Sequence, residues 1–180
     1  KRCAETLFFD YYRQHHVRIR VARIFNTYGP RQSERAVIPT IIRQALDPAC
    51  ATIKLGTLTT TRDFNYVSDM VEAFLAIGRA AQLDFGTPYN AGTGRAVSIA
   101  DVVDRVRELT GTNKPVEAET QRVRPERSEV RALLADPARL EQSTGWQSQV
   151  SLDEGLDHVV AWWRCRLGDG SVRRSALYAT

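Results

Sequence analysis

The chain has 180 residues, with 25 Lys and Arg against 21 Asp and Glu, and its 43% hydrophobic content is ordinary for one soluble globular domain. The charges are scattered rather than gathered in a run, so the balance of +4 argues for a mixed surface or a small phosphorylated ligand and against nucleic acid. No apolar run approaches the roughly eighteen residues of a membrane span, and Cys3, Cys50 and Cys165 are too far apart for a disulfide framework or a zinc site. A reducing cytoplasm is the compartment these features fit.

Ala4, Leu7, Phe8 and Tyr11 recur at helical spacing and predict an amphipathic helix already under way at Lys1 and running to about residue 12. A first residue other than Met, inside a helix in progress, reads as a cut rather than a natural start. Val17, Ile19 and Val21 alternate with Arg18, Arg20 and Ala22 and predict a strand ending near Phe25; helix then strand is the rhythm of an α/β sheet. Tyr28-Gly29-Pro30 predicts a turn in which Gly29 supplies unusual backbone angles and Pro30 fixes its own. A helix is expected over 38–46 with Pro39 in its first turn, then a strand over 52–55 and extended chain over 61–66.

Ser68 or Asp69 is expected to cap a helix through Val71, Phe74, Leu75 and Ile77. Residues 88–92 read as a strand end with a glycine turn. Ser98 is the expected N-cap of a helix over 99–109, with the stripe Ile99, Val102, Val103, Val106 and Leu109 and a stop at Thr110-Gly111. A strand over 116–119, a short helix from 137 and a last helix capped by Ser151 follow, the latter holding Leu152, Leu156, Val159, Val160 and Trp163. Trp162 and Trp163 read as core or as a dimer contact. From about Gly168 the chain turns polar and small, a frayed tail.

Chemistry concentrates in three places. Asn26, Thr27 and Tyr28 stand just beyond a strand's carboxyl end, where open α/β sheets bind ligands; Asn26 either holds a hydroxyl or phosphate oxygen or simply forms the turn. Arg62, beside Asp63 and Phe64, offers a bidentate phosphate grip or belongs to a surface Arg–Asp pair. Arg122, Arg124, Arg127, Glu129 and Arg131 fall within ten positions, either closing over a diphosphate while the glutamate accepts from ribose hydroxyls or forming a solvated charged loop. His15, His16 and His158 have no metal-ligand spacing.

Taken in order, Arg23-Ile24-Phe25-Asn26-Thr27-Tyr28-Gly29-Pro30-Arg31-Gln32, Thr61-Arg62-Asp63-Phe64-Asn65-Tyr66-Val67-Ser68-Asp69, Tyr89-Asn90-Ala91-Gly92-Thr93-Gly94, Arg124-Pro125 and the stretch from Leu140 to Trp146 resemble the extended short-chain dehydrogenase/reductase family. These are the NAD-dependent nucleotide-sugar epimerases and dehydratases, and the resemblance covers nearly all of residues 1–163. Ala36-Val37-Ile38-Pro39-Thr40-Ile41-Ile42 with Thr60-Thr61-Arg62-Asp63-Phe64 looks most like UDP-N-acetylglucosamine 4,6-dehydratases. Lys1-Arg2-Cys3-Ala4-Glu5 and Arg20 to Thr27 are also similar to UDP-glucuronate decarboxylases.

The resemblance implies the C-terminal part of an NAD(P)-binding Rossmann-like fold (1–35), a small mixed α/β substrate domain whose strands return to the main sheet (36–165), and a disordered tail (166–180). It implies that Lys1 is the lysine of a Tyr-x-x-x-Lys pair, holding the nicotinamide ribose and lowering the pKa of a tyrosine that would stand upstream of it. Asn26 would contact the sugar or diphosphate, Arg62 a phosphate, Val37, Ile38 and Pro39 the base, and Arg124 and Glu129 would close over the nucleotide. Where the commoner pattern has a second glycine shortly after Gly56, this chain has Leu58.

No G-x-G-x-x-G fingerprint is present, since Gly92-Thr93-Gly94 lacks its third glycine, so the residues given are expected to hold neither NAD nor a complete catalytic set. The activity implied is C4 oxidation of a UDP-sugar, loss of water across C5–C6 and hydride return to C6. Alternatives are UDP-glucuronate decarboxylation, 4-epimerisation, or a non-catalytic sugar-nucleotide binding module. The family's usual homodimer uses the helix of Lys1 to Tyr12, so Leu7, Phe8, Tyr11 and Tyr12 are expected to form an exposed apolar face.

Overall fold

The computed structural model describes residues 1–119 and 129–169. The chain is α/β and divides into two compact units, each assembled from three separate stretches: Lys1–Thr27, Asp63–Ala96 and Leu133–Val150 form the first, and Tyr28–Arg62, Val97–Ala132 and Ser151–Thr180 the second.

In the first unit, helix α1 (Arg2–His15) precedes strand β1 (Val21–Ile24). The alternation beginning at Val17 does not become ladder. Val17 stays exposed, and Arg20 turns its guanidinium to the carbonyls of Ile77 and Leu83, both at 2.8 Å, while stacking 4.5 Å from the Phe85 ring. β1 instead pairs in parallel with β6 (Pro88–Ala91), in the register Val21↔Pro88 to Ile24↔Ala91.

Asn26–Tyr28, expected as a turn, is a second short strand, β2, paired with β5 (Phe64–Tyr66). Helix α3 (Val67–Arg79) and the short α5 (Ala138–Thr144) pack on this frame and bury Met70, Ala73, Ile77, Leu83, Tyr89, Leu140 and Trp146. Each large apolar side chain of that set contributes about 1.5–3 kcal/mol by leaving water.

Neither Ser68 nor Asp69 caps α3; the N-cap is Tyr66. Asp69 lies inside the first turn, where its buried carboxylate accepts from Ser148 Oγ at 2.7 Å and from the backbone N–H groups of Gln149 and Val150 at 3.1 Å. The indole N–H of Trp146 donates to the Asp69 carbonyl. One acidic residue thus fixes a segment about eighty positions away, a role local capping patterns do not reveal.

Helix α1 buries no residue. Leu7, Phe8 and Tyr11 are about half exposed, as expected, but Tyr12 turns inward. Its ring fills the space where a side chain on Gly86 would stand, and Gly86 is at φ +68°, so that position takes glycine for both reasons. The pair Arg23–Glu5 ties the helix to β1; hydrogen bonding to the guanidinium holds the Glu5 carboxyl below its ordinary value.

In the second unit, α2 (Val37–Leu46), α4 (Ile99–Thr110) and α6 (Leu152–Gly168) pack on one another. They bury Ile38, Ile41, Ile42, Val102, Val103, Val106, Leu156, Val159, Val160 and Trp163. Trp163 is therefore core, and Trp162 meets it edge-on. Strands β3 (Ile53–Leu55) and β8 (Val116–Ala118) pair in parallel. β4 (Thr61–Arg62) is antiparallel to β7 (Val97–Ser98) and also neighbours β9 (Ala132–Leu133); β7 and β9, of two residues each, are too short to leave a sequence pattern.

α4 begins where the sequence places it. The Ser98 hydroxyl accepts from the Asp101 N–H at 3.0 Å and the Asp101 carboxylate accepts from the Ser98 N–H at 3.2 Å, a complete capping box. Gly111, at φ +70°, ends the helix in the left-handed conformation. The residues of the expected tail beyond 169 lie outside the described residues.

Replacing Ser98 by Ala is expected to cost about 1 kcal/mol in urea unfolding at neutral pH. The Ser98 hydrogen bonds hold the Asp101 carboxyl below its ordinary value of 3.8. The contribution of Asp101 is therefore complete above that value and is lost as the pH falls through the lower folded value. The stability gap between the wild-type chain and Asp101→Asn should close in acid.

Candidate functional site

Asp63 is fully buried, and its carboxylate accepts four hydrogen bonds: from Thr93 N at 3.0 Å, Thr93 Oγ1 at 2.7 Å, Gly94 N at 3.0 Å and Ala135 N at 3.2 Å. A surface Arg62–Asp63 pair is thereby excluded. Gly92 makes the room for this arrangement, because a Cβ there would fall 2.3 Å from Ala135 Cβ and 2.8 Å from Asp63 Oδ2. Three stretches distant in sequence are clamped on one carboxylate.

The backbone carbonyl of Asp63 accepts in turn from Asn65 Nδ2 at 3.0 Å and from Asn26 Nδ2 at 3.5 Å. Asn26 follows β1 at the carboxyl end of the parallel pair, since Phe25 N still donates to Ala91 O before the chain re-pairs as β2. Its amide is oriented by the Asp63 carbonyl, which leaves Oδ1 without a partner among the described residues. An oriented neutral amide beyond a strand's carboxyl end can accept from a ligand hydroxyl without carrying charge. Lys1 stands exposed as the N-cap of α1, and its side chain makes no cap hydrogen bond.

The second unit brings together two of the expected residues that are 67 positions apart. Arg62 donates from one terminal nitrogen to Thr61 O at 2.8 Å, and from the other to Glu129 Oε1 at 3.4 Å. Both side chains are 16% exposed. Val37 is half-buried at the start of α2, whereas Ile38 and Pro39 are buried. Arg124, with Arg122 and Arg127, lies outside the described residues.

The Gly29-Pro30 turn also differs from expectation. Gln32 N donates to Gly29 O at 3.3 Å, and the positive φ of +67° falls on Arg31 rather than on Gly29. That is the third position of a type II turn, which glycine ordinarily fills.

Among the described residues, no group of three or more His, Cys, Asp and Glu could hold a metal ion, and no helix is long and apolar enough to cross a membrane.

Residues 1–159 match the family model described as GDP-mannose 4,6 dehydratase. The chain belongs to this family of NAD-dependent nucleotide-sugar epimerases and dehydratases. It is 40% identical over 171 residues to UDP-glucuronic acid decarboxylase 6 of Arabidopsis thaliana, a match covering 93% of this chain and 47% of the relative. UDP-glucuronic acid decarboxylase 1 of Xenopus tropicalis is 32% identical, covering 93% and 38%. Among solved structures, the UDP-glucose 4-epimerase of Thermotoga maritima, with UDP-glucose, aligns at a TM-score of 0.80 and 27% identity over 93% of this chain and 52% of that one. The chain thus spans about half the length of the curated relatives it matches. These family relatives are enzymes of decarboxylase and epimerase type.

Sequence reasoning named Asn26, Arg62 and Glu129 but missed Asp63 as the anchor. Its partners are 30 and 72 positions away, and the available signal was an acidic residue between Arg62 and Phe64 in extended chain. Asp63→Ala removes a buried acceptor from three backbone N–H groups and one hydroxyl, and is expected to cost about 3 kcal/mol or more. Gly92→Ala should destabilise by about 1–3 kcal/mol through overpacking. Asn26→Ala, which breaks a single long hydrogen bond, should cost well under about 1 kcal/mol. Urea unfolding of the three variants checks the order.

Proposed function

We propose that this chain is the substrate-holding part of an NAD-dependent enzyme that oxidises and decarboxylates UDP-glucuronate in the cytoplasm. The observation that carries the reading is the Arg62–Glu129 pair, a guanidinium suited to phosphate beside a carboxylate suited to ribose hydroxyls. The choice within the family follows the UDP-glucuronic acid decarboxylases among its relatives.

NAD, when bound, supplies an acceptor for the hydride at C4 of the sugar. Lys1 fits such a cofactor, being exposed at the head of α1 with no cap hydrogen bond to give up. Its ammonium would donate to the ribose hydroxyls and favour the ionised form of a nearby tyrosine. In the same unit, Asn26 Oδ1 accepts from a sugar hydroxyl or orients the substrate. In the second unit Arg62 takes a phosphate, Glu129 accepts from the ribose, and Val37 offers its exposed edge to the base; Ile38 and Pro39 shape that helix end from beneath. Arg124 is proposed to join the nucleotide contacts. The exposed face of α1, Leu7, Phe8 and Tyr11, is proposed as the contact of a homodimer.

A second reading, the 4,6-dehydratase expected from the sequence, is favoured by the description of the matching family model. Both readings begin with a ketone at C4. A carboxylate on C5 then lies β to that ketone and leaves as CO2, whereas a hydroxyl on C6 leaves as water.

Expressed from its complete reading frame and supplied with NAD, the protein should convert UDP-glucuronate into a UDP-pentose lighter by one CO2, read by mass spectrometry. Loss of water from UDP-N-acetylglucosamine or dTDP-glucose instead would replace the decarboxylase with a dehydratase. Turnover of none of the three would remove both.

A further inference from the structure

We propose that Asn65 is a positioning residue for the sugar: by occupying the Asp63 carbonyl it leaves the Asn26 amide lightly held and free to pair with sugar hydroxyls. This deepens the reading of Asn26 given above and rests on it.

Asn65 is wholly buried in β5 and poorly matched to its surroundings. Its Nδ2 donates to Asp63 O at 3.0 Å, but its buried Oδ1 accepts from no group among the described residues. Turning the amide over would set Oδ1 against the Asp63 carbonyl oxygen and break the one bond it makes. A buried acceptor without a donor is unfavourable, and a β-branched side chain suits a buried strand position better. Local misfits of this kind concentrate where function requires them. What Asn65 achieves is visible at the carbonyl to which it donates.

That carbonyl cannot shift to suit its donors. Asp63 is pinned through its carboxylate by four hydrogen bonds and through its N–H by a bond to Leu133 O at 2.9 Å. Asn65 takes the carbonyl at an ordinary length, whereas the Asn26 bond, at 3.5 Å, lies beyond the usual range of about 2.7–3.2 Å. With Asn65 in place, Asn26 gives up little when its Nδ2 leaves for a ligand oxygen, and the carbonyl it leaves stays paired. The Asn26 amide then offers a donor and an acceptor together to a sugar that presents neighbouring hydroxyls. Without Asn65, Asn26 is the one side-chain donor left to that carbonyl among the described residues. Its Nδ2 settles there, and binding the sugar has to pull it away.

Two measurements on the chain test this, with Asn65→Ala, which adds no bulk, and Asn65→Val, which fills the site. The first is hydrogen exchange of the Asn26 side-chain amide, followed by heteronuclear NMR and assigned with Asn26→Ala. Exchange should slow several-fold in both Asn65 variants. The second is calorimetric titration with UDP-glucuronate and with UDP. Affinity for UDP-glucuronate should fall about three- to tenfold, the range of one ordinary hydrogen bond, while affinity for UDP changes by less than about twofold. In the Asn26→Ala background, adding Asn65→Ala should change neither affinity.

Unchanged exchange at Asn26 in both variants overturns the inference. So does an affinity for UDP-glucuronate that is unchanged or falls no more than that for UDP, or a loss that persists without Asn26. In each of these cases the nucleotide-sugar reading stands. If the wild type binds both ligands and Asn26→Ala leaves UDP-glucuronate unaffected, Asn26 is no sugar contact and the inference falls with that assignment alone. If the wild type binds neither, both fall.

Discussion

A carboxylate removed from water is tolerable when donors replace the hydration it has lost, and Asp63 has four of them. They come from the turn after β6 and from Ala135, so the first unit closes on this group. The requirement propagates: Gly92 must lack a side chain, Thr93 must carry a hydroxyl, and the Asp63 carbonyl is left where Asn26 and Asn65 can donate to it. Asp69 does a similar thing for the segment 148–150. Buried acids, rather than extended sheet, hold the irregular parts of this unit in place.

The second unit is organised differently. Three helices bury aliphatic side chains and Trp163, and the polar work is done at helix ends. The ammonium of Lys114 donates to the carbonyls of Gln44, Ala45 and Asp47 at 2.7–3.0 Å, meeting the C-terminal end of α2 with a charge that also suits its dipole. Gln44 reaches back to β3 through both of its polar atoms, donating to Lys54 O and accepting from Lys54 N. A helix fixed at its C-terminal end in this way gives Val37, at the other end, a defined position.

What could be read from the sequence was what is local. The capping box of α4 lies within four residues, its stripe repeats every three or four, and its glycine stop is adjacent; α6 is announced in the same way by Ser151. The resemblance carried the candidate site, because ordered motifs name residues whatever their surroundings. What stayed hidden depends on distance in the chain. Asp63 looks like one more charge beside an arginine until Thr93 and Ala135 arrive. Val17 and Ile19 alternate like a strand, but the pairing partner of β1 begins at Pro88, opposite Val21. The left-handed residue of the Gly29-Pro30 turn is an arginine, against local preference.

The division into units has a consequence for how the chain comes off the ribosome. Each unit is assembled from three separated stretches, and the last contribution to the first is 133–150, which supplies Leu140 and Trp146 to its core. The second unit waits longer still, for Leu156, Val159, Val160 and Trp163. Neither hydrophobic core can therefore finish forming before the stretches that carry Leu140, Trp146, Leu156 and Trp163 have been made. Partly made chains will display unfilled apolar surface on both units at once, and the stage at which this protein most needs shelter from aggregation is the interval before α5 and α6 emerge.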